Sequence, residues 1–190
     1  MTYKLAQTDA IKVDLLERST SDKKYPLGKI VKVIDRDDDG IPSEKEYIYV
    51  KAATAITKNA IVLLSYGTDT KDLTECKQLS SAKSEVGGNT FLVSEITVGS
   101  GEYFFAVKKG KTVCLAWDQS SAAKNASKSD YVIVNHSMPY KASIDTTKSG
   151  VPSSRQSFMT FGKALDNISD NLEGIKVLPV YIFGEPVGML

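Results

Sequence analysis

Short strands entered from small polar loops are the feature that most restricts the fold of this chain. A run of small polar residues leads through a tight turn into a β-branched segment at 52–64, and the same succession recurs at 120–134. Loop, turn and short strand in this order form a unit that small barrels and sandwiches use repeatedly. The pattern predicts a β scaffold whose surface carries its function.

Apolar segments with strand-like alternation extend this pattern along most of the chain. Residues 30–34 and 46–51 alternate as half-buried strands do, and the acidic turn between them indicates a β-hairpin. A second hairpin is predicted across the basic turn 108–111. Further candidate strands, several of them separated by glycine turns, are 61–65, 90–96, 103–107, 112–117, 131–135 and 175–183.

Only two stretches, 70–82 and 163–171, favour helix. In the second, Ala164, Leu165 and Ile168 have helical spacing, and a glycine at 174 follows closely. The predicted fold is therefore mainly β, a small barrel or sandwich with one short helix and an extended N-terminal arm.

The arm is predicted at residues 1–24, where apolar residues are scattered and the polar stretch 19–24 has no pattern. Residues 14–18 could form a single helical turn, which is too short to be stable alone. We expect the arm to be ordered by whatever it lies against, and the β domain to span residues 25–190.

The charge balance gives no broad attraction to nucleic acid or to membranes. Lys and Arg number 24 against 23 Asp and Glu, so the formal net charge is +1. The longest apolar stretches, 61–64 and 177–183, are too short to cross a bilayer, and the start of the chain lacks the apolar core of a signal peptide. Cys76 and Cys114 make no disulfide framework and favour two free thiols in a reducing cytosol.

The acidic turn at 35–46 has the spacing of a calcium-binding loop. Asp35, Asp37 and Asp39 occupy positions 1, 3 and 5, the Ile41 carbonyl occupies position 7, and Glu46 occupies position 12. Calcium takes six to eight oxygen ligands, which such a set can supply. The alternative is a solvated hairpin tip, where turn geometry alone favours Asp and Gly.

No other motif forms a convincing catalytic constellation, so no enzyme and no organic cofactor are predicted. His136 is the only histidine, and neither a Gly-x-Ser-x-Gly elbow nor a phosphate-binding glycine motif occurs. Trp117 and the nine tyrosines could stack on sugars or bases, although packing in the core is their usual role.

The order of several segments resembles the head decoration, or capsid-stabilising, proteins of tailed bacteriophages. These segments are Leu27-Gly28, Tyr47-Ile48-Tyr49-Val50, the alanine-rich loop 52–60, the aromatic strand and Lys-Gly turn 103–110, Phe161-Gly162-Lys163-Ala164-Leu165-Asp166, and the valine-containing segment 176–183. The resemblance covers residues 25–183.

The resemblance implies a non-enzymatic virion protein that is made in the host cytoplasm. It would bind the outer surface of the major capsid protein shell as a homotrimer and reinforce that shell. The polar arm could reach a neighbouring subunit.

Two other classes of protein stay open. One is a tail-associated or fibre-associated module, or a β domain that binds carbohydrate through Trp117 and tyrosines. The other is a small β-hydrolase centred on His136.

Overall fold

Eleven strands and one short 3-10 helix make up the described part of the chain, and the prediction of a mainly β fold is confirmed. The computed structural model describes residues 3–5, 13–36, 42–65, 75–78, 90–116, 130–134, 142–144, 160–166 and 177–184. The helix is Val13–Leu16, and the strands are β1 (Tyr3–Leu5), β2 (Ile30–Arg36), β3 (Pro42–Ala52), β4 (Ile61–Ser65), β5 (Glu75–Gln78), β6 (Thr90–Val93), β7 (Tyr103–Leu115), β8 (Tyr131–Val134), β9 (Ala142–Ile144), β10 (Thr160–Ala164) and β11 (Val177–Ile182).

Five of the strands close into a ring. β3 pairs with β7 along one edge, while its other edge pairs first with β2 and then, at its end, in parallel with β5. β5 continues through β4 and β6 back to β7, so the order β3-β5-β4-β6-β7 returns to β3. This ring is the small barrel that the short strands predicted.

A second sheet continues from β7 through β11, β10 and β8 to β9. Its members are antiparallel, and a parallel bridge between Ala116 and Ala142 connects β9 to the end of β7. Phe91 of the ring and Phe161 of the second sheet have ring centroids 6.1 Å apart. The second sheet therefore packs against the outer wall of the ring.

Two apolar cores follow from the alternation of side chains along the strands. One fills the ring and contains fully buried residues such as Val50, Leu92 and Phe104. The other lies between the ring and the second sheet, and it contains Phe105 of the ring and Leu178 of β11. Neighbouring residues of β7 thus serve different cores.

The predicted hairpin across residues 108–111 is wrong, because β7 runs without interruption through that segment. Its first half pairs with β3 and its second half with β11. Gly110 has φ +110°, and a Cβ there would lie 2.8 Å from the Glu44 carbonyl oxygen. The glycine permits an irregular step in the ladder beside β3, so the strand changes partner without turning back.

The two predicted helices are also corrected where the structure describes them. Residues 163 and 164 belong to β10, which pairs with β8 on one edge and β11 on the other. Residues 75–78 form β5. In both places the hydrogen bonds of two neighbouring strands outweigh a short helical spacing. Residues 165 and 166 follow β10 without forming a helix, and the other predicted helical positions, 70–74, 79–82 and 167–171, lie outside the described residues.

The N-terminal segment 13–25 lies against the ring. Leu15 and Leu16 are buried, and they belong to the helical turn that was predicted at 14–18. Thr20 and Tyr103 exchange two backbone hydrogen bonds of 2.9 and 2.8 Å. The division into an arm at 1–24 and a domain from residue 25 stays a prediction. In the described ranges, no helix is long and apolar enough to cross a bilayer.

Candidate functional site

The predicted calcium ligands are not all brought together by the hairpin. Asp35 pairs with Ser43, whereas Glu46 pairs with Lys32, three residues further along β3. Three is an odd number of steps along a strand, so the two positions lie on opposite faces of the hairpin, and one ion cannot bind both of them there. The Glu46 carboxylate lies 3.0 Å from the Lys32 ammonium instead. Asp37, Asp39 and Ile41 lie outside the described residues, and calcium binding by this loop stays a prediction.

A melting experiment tests the loop. If the aspartates and the Ile41 carbonyl bind calcium, excess calcium raises the melting temperature relative to chelator, because the ion binds the native hairpin and not the unfolded chain. Asp37→Ala removes the response. Glu46→Gln preserves it, because Glu46 already pairs with Lys32. Identical curves with calcium and chelator would leave a solvated turn, and a response lost in Glu46→Gln would contradict the ladder geometry.

Two buried polar side chains, Lys45 and Thr112, meet at Glu95, which follows β6. The Glu95 carboxylate accepts hydrogen bonds from the Lys45 ammonium at 2.9 Å, from the Tyr47 hydroxyl at 2.7 Å and from the Thr112 hydroxyl at 2.8 Å. The Lys45 side chain is only 4% exposed, against 24% for Glu95. We call these four residues the Glu95 cluster.

The Glu95 cluster is arranged to hold the fold together. Three donors on β3 and β7 converge on one carboxylate, so its charge is hydrogen-bonded and balanced by the ammonium. With three donors in place, the Glu95 oxygens are committed to contacts within the fold. The cluster lies near the place where the ladder between β3 and β7 shifts register, between Val107 and Lys109 and just before Gly110. We therefore read it as a structural clamp between β3, β7 and the segment after β6.

Neither cysteine has the environment of a reactive thiol. Cys76 and Cys114 are both free and fully buried, and burial raises the pKa of each thiol well above its usual range. For Cys114 the nearby Glu95 carboxylate raises the pKa further. A thiol, and not a thiolate, is therefore present at neutral pH, and it behaves as a small apolar side chain.

A second polar contact fastens the N-terminal segment to the ring. The Glu102 carboxylate accepts hydrogen bonds from the Ser19 hydroxyl at 2.6 Å and from the Gly99 amide at 2.7 Å. The Ser19 bond, followed by the Gly99 bond, holds the pKa of Glu102 below its usual value. These bonds stand next to the Thr20–Tyr103 bridge, so they fix the place where the segment meets β7.

Glu102→Gln should cause a small, pH-dependent loss of stability. Folding lowers the pKa of Glu102, so the ionised carboxylate stabilises the folded state. This stabilisation is fully present above the unfolded-state pKa and is lost as the pH falls through the folded-state pKa. The variant should melt slightly below wild type at neutral pH and should match it once the carboxyl is protonated. Melting curves over a pH series check this, and a difference that grows on acidification would contradict it.

Sequence reasoning missed the Glu95 cluster, although a signal for part of it exists. Lys45 and Tyr47 share the face of β3 that turns toward the core, so a lysine stands where the alternation calls for an apolar residue. Glu95 lies outside a regular strand, and nothing local connects it with Lys45. Within the described ranges, no group of three or more His, Cys, Asp or Glu could hold a metal ion. Trp117 and His136 lie outside those ranges.

A scan against protein-family models finds no matching family, and searches of curated proteins and of solved structures find no significant match.

Proposed function

We propose that this chain is a viral structural protein, a capsid decoration protein that binds the outer surface of the major capsid protein shell as a homotrimer and stabilises it. It would be made in the host cytoplasm and reside on the virion. The order of sequence segments, which resembles that of phage decoration proteins, carries the proposal.

The positions of those segments in the fold support it. Tyr47-Ile48-Tyr49-Val50 lies in β3, the aromatic segment that begins at Tyr103 lies in β7, and residues 161–164 lie in β10. Each of these segments therefore belongs to the scaffold, with β3 and β7 in the ring and β7 and β10 in the second sheet. A resemblance carried by framework strands fits a shared architecture better than a shared catalytic site.

The chemistry of the interior also favours a binding role over catalysis. The Glu95 carboxylate is occupied by three hydrogen-bond donors, and both thiols are buried with a raised pKa. Within the described residues, this leaves the outer surface as the place where the protein acts.

The outer face of the β2–β3 hairpin is a surface that could contact a capsid subunit. Ile30 and Ile34 are 42% and 38% exposed. Lys32 lies between them, and its ammonium is 3.0 Å from both Glu44 and Glu46. An apolar strip beside paired charges can be buried without leaving an unpaired charge. Burial across neighbouring capsid subunits would add stability only when the shell is assembled.

Mass spectrometry of purified virions tests the proposal. We expect the protein in a fixed ratio to the major capsid protein, and shells stripped of it should open at a lower temperature than shells to which it is added back. Adding back the Ile30→Asp/Ile34→Asp variant should not raise the temperature at which the shells open. The Thr54→Asp variant, changed on an exposed loop of the ring, should raise it as the wild-type protein does. Virions that lack the protein, or that carry it in the tail, would overturn the proposal.

A further inference from the structure

A row of alternating tyrosine and lysine crosses four strands of the second sheet. The register places Tyr131 of β8 opposite Lys163 of β10. Lys163 in turn lies opposite Tyr181 of β11, which lies opposite Lys111 of β7. Directly opposed residues of antiparallel strands point to the same face. All four are half-buried while Val180, next to Tyr181, is fully buried, so this tyrosine–lysine row lies on the face turned away from the core.

The side chains of the tyrosine–lysine row support one another. The Lys163 ammonium lies over the Tyr131 ring, 5.0 Å from its centroid. The Tyr181 ring is 6.4 Å from the ring of Phe183, which directly follows β11. Such contacts hold the ammonium and the rings in place before any ligand arrives, which reduces the ordering cost of binding.

Three lysines lie near one end of the row, where Lys109 is opposite Glu46 in the ladder with β3, although the chain as a whole is nearly neutral. Lys108 and Lys109 precede Lys111 along β7. Lys109 is also close to Gly184, because a Cβ added to Gly184 would lie 3.3 Å from the Lys109 Cβ. The basic segment of β7 therefore lies next to the end of β11. A local excess of lysine beside aromatic rings attracts anionic ligands with flat apolar faces.

We propose that the tyrosine–lysine row binds a linear anionic polysaccharide that carries a carboxylate on every second sugar. Neighbouring strands are about 4.8 Å apart, so the two tyrosines, and likewise the two lysines, are roughly 10 Å apart. An extended polysaccharide advances by a similar distance for each pair of sugars. Each tyrosine can then pack on the apolar face of one sugar, while each lysine pairs with the carboxylate of the next.

The same geometry disfavours a nucleic acid. Every nucleotide carries a phosphate charge, and affinity for nucleic acid grows with the number of phosphates that Lys and Arg neutralise. The row offers a cation only at every second position, and the formal net charge of the chain is +1. An alternating polyanion therefore fits the spacing of the lysines better than a uniformly charged one.

Titration calorimetry of the full chain with hyaluronan oligosaccharides, at low and at high salt, tests the inference. We expect binding that weakens with salt, no binding of neutral dextran, and weaker binding of single-stranded poly-dT. Lys163→Gln/Lys111→Gln should weaken hyaluronan binding about tenfold, because two ion pairs at the surface are lost and such losses add. Tyr181→Leu should also weaken binding while leaving the charge unchanged.

The matched control is Lys23→Gln/Lys58→Gln, which removes the same charge from exposed positions away from the row. It should bind hyaluronan as wild type does, and circular dichroism should show all variants folded. No binding to hyaluronan, an equal loss in the control, or tighter binding of poly-dT would each overturn the inference. This site goes beyond the capsid role and is tested separately, because virion content does not depend on it.

Discussion

Gly162→Ala is expected to lower the free energy of unfolding by about 3 kcal/mol, at the upper end of what overpacking costs. A Cβ at residue 162 would overlap the Tyr181 carbonyl oxygen and would lie 3.3 Å from the Ile182 Cα. Both atoms belong to the backbone of β11, so no side chain can rotate away to make room. β10 would have to separate from β11, and the ladder around the Gly162–Ile182 pair would break.

Gly101→Ala is the matched control, because it separates backbone strain from overlap. Gly101 has φ +82°, and a Cβ there would meet no atom within 4 Å. The change should lower the free energy of unfolding by about 1 kcal/mol, which is the strain of a left-handed residue other than glycine. Urea denaturation followed by circular dichroism measures both variants. Equal losses would show that the close approach of β10 and β11 is not what requires glycine at 162.

Glu95→Leu is expected to destabilise the fold by about 3 kcal/mol, the lower end for breaking a buried ion pair, since Glu95 is partly exposed. The change deprives the buried Lys45 ammonium of its carboxylate. It also removes the acceptor of the Tyr47 and Thr112 hydroxyls. Urea denaturation at neutral pH gives the size of the loss.

Lys45→Met should lower the free energy of unfolding by much less, about 1 kcal/mol. This difference between the two variants is the more demanding part of the test. Methionine is apolar and similar in length, and Glu95 keeps two hydroxyl donors and some contact with water. The double variant Lys45→Met/Glu95→Leu should therefore be more stable than Glu95→Leu alone. A Lys45→Met loss as large as that of Glu95→Leu would contradict the view that the buried ammonium is the costly member.

The sequence predicted the parts of the fold that depend on local pattern. Strand β4, at Ile61–Ser65, matches the predicted boundaries, because a β-branched run between turn residues has few alternatives. The path of β7 could not be predicted in this way. Lys109-Gly110-Lys111 has the composition of a turn, and only contact with Glu44 of β3 shows that Gly110 permits a straight passage.

The candidate sites also differ in whether a local sequence pattern or the pairing of distant strands determines them. The spacing of the acidic turn is visible in the sequence, yet the ladder that separates Asp35 from Glu46 depends on the pairing of β2 with β3. The Glu95 cluster and the tyrosine–lysine row join residues that are far apart along the chain. Such groupings follow from sheet order, which short-range patterns do not encode.

The sharing of β7 has a consequence for how the protein opens. Tyr103–Leu115 is a wall of the ring and the first strand of the second sheet, so neither sheet can lose it without disrupting the other. Fluctuations that expose the β7 amides to solvent therefore require nearly global unfolding, whereas the edge strands β1 and β9 can fray alone. Because the two cores unfold as a single cooperative unit, hydrogen exchange should be slowest at the amides of Phe105 and Cys114. The two amides should exchange at similar rates.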